Sequence, residues 1–235
     1  MMQRWSEDTI SFMEDASVYG NYHKELAEIL LPYLPTRGHI CDAGCGLGHL
    51  ALELSKHCTA VTAVDASANA LRGLMEREIP VNLTVRHGDI FSMEEKYDAM
   101  VFCYFGKTEE ILRLAQTGRT HRIVVVRRDC GAHSFSKTTV MRKEHSINYL
   151  KEVLEQQQIP YMSRNISLEL GQPFRNMEDA LRFFQLYNKS AKAISEKDLD
   201  GKLIPAQKEP FSLYYPSVRN MELIVFDTEN ISENV

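Results

Sequence analysis

The sequence predicts an α/β fold built around a doubly wound, mostly parallel sheet, and three observations carry that expectation. Short apolar runs alternate with amphipathic ones along most of the chain. Those runs are apolar throughout rather than on every second residue, the pattern of strands covered on both faces. A glycine-rich bend, "GCGLG" at residues 44–48, joins the first such run to the helix behind it. Right-handed crossovers then place helices on both sides of the sheet, and ligands bind at the carboxyl ends of the strands where the strand order reverses.

Taken in order, residues 20–34 put Leu26, Ile29, Leu30 and Leu34 at helical spacing, and Pro35 and Gly38 end that helix. "HICDA" reads as a first strand, followed by the bend and a helix through "HLALELSKH". "TAVTAVDA" is a second strand ending in an acid, and "SANALRGLMERE" a helix that Ser67 is placed to cap. "VNLTVRHGDI" and "YDAMVFCYF" give a third and fourth strand, "EEILRLAQ" a helix, and "HRIVVVRR" a fifth strand. A helix is expected over about Arg142 to Gln157, a sixth strand in "YMSRNISLEL" and a last one in "RNMELIVFDT". Between these two strands lie the helix "NMEDALRFFQLYNKSA" and a polar, proline-bearing loop, in which residues 195–210 are either a functional loop or a disordered surface excursion, the sequence leaving both open. Phe183, Phe184, Tyr187, Phe211, Tyr214 and Tyr215 on either side of it are too apolar to be left in water.

At 235 residues, with 44% hydrophobic and 25% charged residues, the chain is sized for one large domain with a sizeable core. Its net charge of −5 and the lack of any Lys/Arg cluster argue against a nucleic-acid backbone as principal partner. The opening "MMQRWSEDTISF" lacks the pattern of a secretory signal, and no apolar run is long enough to span a membrane. Five cysteines without a CxxC pair fit a reducing cytoplasm. Cys41 with Cys45, and Cys130 with His133, lack a second pair at structural-zinc spacing, so no metal is expected.

The bend itself excludes two ligand classes. A dinucleotide fingerprint needs its third glycine at position 49, which is His49, and a P-loop needs a Gly-Lys-Ser/Thr ending. Asp42, two residues before Gly44, would repel a pyrophosphate in the same turn and attract an amine or a cation. Asp65 ends the second strand beside the bend, where it can accept hydrogen bonds from both hydroxyls of a ribose. Asp89 follows the third strand, placed to accept from an adenine amine. Three acids at adjacent strand ends suit a cationic nucleoside without phosphate, and S-adenosylmethionine is such a molecule.

"ICDAGCGLG", "VTAVDAS", "VRHGDIFSM" and "YDAMVFCYF" together resemble the class I S-adenosylmethionine-dependent methyltransferases, over roughly residues 38–128. The resemblance implies a seven-stranded sheet of order 3-2-1-4-5-7-6 with strand 7 antiparallel, in a three-layer α/β/α arrangement. It implies a single domain: an N-terminal helical cover (1–36), a core with the cofactor site (37–170), an insertion between strands 6 and 7 forming a lid or substrate wall (171–219), and the last strand and tail (220–235). By the same resemblance Asp42, Gly44, Cys45, Gly46 and the turn through Gly48 would carry the methionine part of the cofactor. Asp65 would hold the ribose, Ala66, Asp89 and Ile90 the adenine, and Cys103 and Tyr104 would line the methyl-transfer face. "CYFGKTEE" after the fourth strand departs from the Asn-Pro-Pro-Tyr type, so methylation of bases or glutamine loses support.

Methyl transfer from a sulfonium is an in-line displacement that asks mainly for positioning and exclusion of water. No catalytic base is assigned: His121 falls at the far end of the fifth strand, and His133 and His145 read as solvated. Tyr22 and Arg127 are the candidate substrate contacts, with Arg128, Tyr19 and Trp5 read as surface or packing residues. The expected acceptor is a small molecule, with no membrane partner and no nucleic acid. An RNA or protein methyltransferase, or a cofactor-binding protein without turnover, are the alternatives; a nicotinamide enzyme is disfavoured by His49 and Asp42.

Overall fold

The computed structural model describes residues 5–35, 37–128, 132–133, 136–140, 142–188 and 193–231, with only the backbone given for 132–133 and 136–140. Cys130 lies outside the described residues, as does the side chain of His133. The strands of the main sheet are β1 (His39–Ala43), β2 (Ala60–Asp65), β3 (Leu83–His87), β4 (Tyr97–Cys103), β5 (Thr120–Arg127), β6 (Met162–Glu169) and, after three shorter strands, β10 (Val218–Asp227). Their order is β3-β2-β1-β4-β5-β10-β6. The first five pair in parallel. β10 runs antiparallel to β5, from Glu222 opposite Arg127 to Asp227 opposite Arg122. This is the order and the reversed strand that the sequence motifs imply.

Two compact units make up the chain, one formed by residues 1–22, 131–141 and 167–219, the other by 23–130, 142–166 and 220–235. The second, larger unit holds the motifs. One core cluster joins Val64, Met100, Phe102, Val125 and Ile224, and Ile40, next to Cys41 of that cluster on β1, is buried as well, each at or below 1% exposure, so the central strands are covered on both faces. Helices α2 (Tyr22–Leu30), α3 (His49–Ser55), α4 (Ala68–Met75), α5 (Thr108–Ala115) and α6 (Ile147–Gln156) follow the expected rhythm. Ser67 caps α4 by accepting from the Ala70 N–H. α2 stops short of its expected length because Pro32 turns the chain into a 3₁₀ turn at Leu31–Tyr33. α6 likewise begins later than expected, after a separate 3₁₀ turn at Lys143–His145.

The smaller unit has its own core, and its helix α1 (Glu7–Tyr19) falls within the expected N-terminal helical cover, ahead of the one helix read there individually. Ser6 and Thr9 close a capping box at its start. The rest is β7 (Gln172–Phe174), α7 (Met177–Tyr187), α8 (Glu196–Leu199), β8 (Ile204–Pro205) and β9 (Leu213–Tyr215). β9 lies between β8 and β7 in an antiparallel sheet. Phe12 of α1 meets Phe183 edge-on at 5.1 Å and Phe174 at 6.3 Å. Gln172 donates to the Phe12 carbonyl at 3.0 Å, and Arg175 forks onto Asp15 at 2.5 and 2.7 Å. Much of the excursion at 195–210 is therefore ordered: α8 buries Leu199 and β8 pairs with β9. The aromatic residues flagged in sequence have found partners, Tyr214 stacking on Tyr19 at 4.7 Å and Phe184 meeting Tyr215 at 5.1 Å.

Phe183 is 2% exposed at the centre of this cluster. Phe183→Ala is expected to cost about 3–5 kcal/mol by lost transfer energy and a residual cavity, measured by urea unfolding.

Candidate functional site

The carboxyl end of β1 leads straight into the glycine turn. Gly44 and Cys45 both donate backbone N–H groups to the Val64 carbonyl, at 2.8 and 3.0 Å, which ties the turn to β2. Gly44 has φ +70°, and a Cβ there would lie 2.1 Å from Cγ of Phe105. Gly48 has φ +71°, and a Cβ there would lie 2.5 Å from a methyl of Leu74 on α4. Both positions need glycine twice over, for the left-handed backbone and for the side chain packed against it.

Asp42 is the residue this arrangement strands. It is 2% exposed, and its Oδ2 has no hydrogen-bond partner. Burial first, and then the nearby charge of Asp65, push its carboxyl up to about 7, while the Ala51 backbone pulls the other way. Asp65 is placed differently: Oδ2 accepts from the Gly46 N–H at 2.8 Å and Oδ1 from the Ser67 N–H at 2.7 Å. One carboxylate thereby ties the glycine turn to the start of α4.

The other expected residues lie around the same strand ends. Ala66 is exposed just past β2, and its carbonyl meets His87 Nε2 at 3.2 Å. Asp89 is exposed and closes the turn after β3, accepting from the Phe91 N–H at 3.1 Å; Ile90 beside it is buried. Cys103 ends β4, where burial and then the Asp42 charge hold its thiol strongly protonated. Cys45 is also pushed well up, by burial and then by Asp42 and Asp65. Tyr104 has φ +55°, rare for a residue with a side chain, and the Arg128 guanidinium lies 5.7 Å from its ring centre.

Two expected substrate contacts turn inward. Arg127 is 2% exposed and donates to Thr108 Oγ1 and to the Phe105 and Gly106 carbonyls, so it supports the loop after β4 instead of facing open space. Tyr22, at the start of α2, is 4% exposed. His145 donates from Nδ1 to the Gly106 carbonyl at 2.9 Å, so it too belongs to that loop.

Sequence reasoning missed a histidine pair. His49, first in α3, stacks on His23 at 4.9 Å, and Arg77 reaches both the His49 ring and the Leu47 carbonyl. Burial, then His23 and Arg77, hold His49 down at about 2; burial and Arg77 hold His23 at about 4. Neutral imidazoles therefore adjoin the turn. Helical spacing puts His23 on the face of α2 that carries Leu26 and Leu30, but only the fold shows that it meets His49.

The family described as "Methyltransferase domain" matches residues 40–121, the stretch from β1 to the start of β5. That match covers the cofactor-side half of the main sheet, where the sequence motifs lie. Solved structures share the fold. A cyclopropane-fatty-acyl-phospholipid synthase-like protein from Lactobacillus casei superposes with a TM-score of 0.53 at 12% identity, covering 94% of each chain. The YcgJ protein from Bacillus subtilis gives 0.50 at 14% identity, over 88% of this chain and 98% of its own. A geranyl diphosphate methyltransferase in complex with S-adenosylmethionine gives 0.50 at 14% identity, over 87% and 85%. No curated protein matches the sequence significantly. Among the described residues no helix is long and apolar enough to cross a membrane. The donor set suits the cofactor: a buried carboxylate oxygen without a partner and, on the helix behind the turn, a neutral imidazole.

A carboxyl raised from 3.8 to about 7 favours the folded state fully below pH about 4, and that contribution is lost as pH rises towards 7. Asp42→Asn removes the loss, so the cofactor-free variant is expected to be the more stable protein above neutral pH, by up to ~4 kcal/mol, in thermal melts across pH.

Proposed function

We propose that this chain transfers a methyl group from S-adenosylmethionine to a small-molecule acceptor by in-line displacement. The observation that carries the reading is the partnerless Oδ2 of buried Asp42. A buried carboxylate is costly unless a donor or a positive charge meets it, and the α-ammonium of a methionine arm is both. When bound, S-adenosylmethionine supplies an electrophilic methyl on a sulfonium whose departure leaves a neutral thioether.

In this reading Asp42, Gly44, Cys45 and Gly46 receive the methionine arm. Asp65 holds the ribose hydroxyls with the acceptor capacity left on each oxygen, since among the described residues each takes one N–H. Ala66 and Ile90 flank the adenine, and Asp89 accepts from its amine. Cys103 and Tyr104 line the transfer face. The upward push on the Cys103 and Cys45 thiols supports this role: a thiolate beside an electrophilic methyl would compete with the acceptor, and a protonated thiol does not. Positioning and exclusion of water can then supply up to about 7–11 kcal/mol of barrier lowering without a catalytic base.

A small-molecule acceptor is favoured by the net charge of −5, which works against polyanions. A cytoplasmic location is favoured by Cys41, Cys45, Cys58 and Cys103, all free thiols. Asp65→Ala is expected to weaken S-adenosylhomocysteine binding by about 1–3 kcal/mol in calorimetry. Incubated with cell extract and methyl-labelled S-adenosylmethionine, the enzyme is expected to put label into the low-molecular-mass fraction. Label recovered only in RNA or protein would contradict the acceptor class, and S-adenosylhomocysteine that does not bind would contradict the whole reading.

A further inference from the structure

We propose that Arg127 is a positioning residue for the cofactor turn: it fixes the loop after β4 so that Phe105 closes on Gly44. The inference rests on the cofactor reading above, in which this turn receives the methionine arm.

The loop carries rarely populated backbone conformations. Tyr104 at φ +55° and Gly106 at φ +76° put left-handed backbone on both sides of Phe105. Such a conformation at a tyrosine persists where its surroundings over-determine it. The Val126 carbonyl accepts the Tyr104 N–H at 2.9 Å, and Arg127 holds the residues that follow. Its guanidinium reaches three acceptors of the loop: Thr108 Oγ1 at 3.2 Å, the Phe105 carbonyl at 3.3 Å and the Gly106 carbonyl at 2.8 Å. His145 Nδ1 grips the same Gly106 carbonyl at 2.9 Å. These three partners of Arg127 are neutral, and Glu109 and Glu110 contribute only attraction through space. A buried guanidinium met by carbonyls uses its rigid fork to set geometry more than to neutralise charge.

The fixed loop delivers the Phe105 ring to the turn. That ring stacks on Phe91 at 5.7 Å and on Phe102 at 6.4 Å, with interplanar angles of 14° and 5°. Its Cγ, Cδ1 and Cδ2 come within 2.1–2.6 Å of where a Gly44 Cβ would stand. Gly44 is two residues from Asp42, so a displaced ring releases the segment that presents the carboxylate.

Two ligands separate positioning from general loss of structure. S-Adenosylhomocysteine carries the amino-acid arm; 5′-methylthioadenosine shares the adenosine and lacks that arm. Titrated calorimetrically, Arg127→Met is expected to bind S-adenosylhomocysteine about tenfold or more weakly. Its affinity for 5′-methylthioadenosine is expected to stay within about twofold of the unmodified chain. Arg127→Lys should fall between the two. If Arg127→Met does not fold, Phe105→Ala carries the same comparison with the same selective loss expected. Equal losses for both ligands, or full affinity for S-adenosylhomocysteine, overturn the inference while leaving the cofactor reading standing. An unmodified chain that binds neither ligand overturns both.

Discussion

Everything at the carboxyl rim of the sheet depends on one uncompensated carboxylate. Asp42 is carried into the interior by a strand that also buries Ile40, Cys41 and Ala43, and its Oδ2 has no donor among the described residues. Folding brings the second acid, Asp65, near enough to raise it further. A protein that tolerates this holds a site tuned for positive charge, at some expense to its own stability. The neutral state of His23 and His49 leaves that preference intact.

The turn around Asp42 is shaped from outside. Val64 accepts its first two N–H groups, Asp65 accepts the N–H of Gly46, Leu74 packs against Gly48, and Phe105 packs against Gly44. β2, α4 and the loop after β4 therefore each fix one part of it. Arg127 belongs to the same construction one step removed, because the loop that carries Phe105 bends through left-handed backbone at Tyr104 and Gly106. Substituting any of these packing residues alters a geometry shared by several others, so their effects should not be additive.

The sheet was legible because its central strands are nearly continuous apolar runs and its bend carries three glycines at fixed spacing. Those patterns are local, and the capping of α4 by Ser67 was local in the same sense. The smaller unit was legible only in α7 and in the burial of its aromatic residues; α1 and the short sheet were not. α1 carries few apolar residues on one face, and the partners of Phe12, which are Phe174 and Phe183, lie more than a hundred residues along the chain. Residues 195–210 read as a polar excursion because their order comes from pairing with β9 and from burial of Leu199. Arg127 misled for a related reason. Alternation along a strand gives the face of a residue, whereas its partners, the Phe105 and Gly106 carbonyls, depend on how a loop from the neighbouring strand returns.

The measurement that bears most directly on the buried carboxylate is the proton balance of binding. Calorimetric titration of S-adenosylhomocysteine, repeated in buffers of different ionisation enthalpy, counts protons exchanged with solvent. A carboxyl near 7 in the free protein is largely protonated below that pH, and a bound ammonium favours its ionised form. Binding below neutral pH should therefore release a proton, with affinity rising as pH approaches 7 and levelling off above it. Binding without proton release, and with affinity flat across that range, would contradict the assignment of Asp42 as the acceptor of the ligand's positive charge.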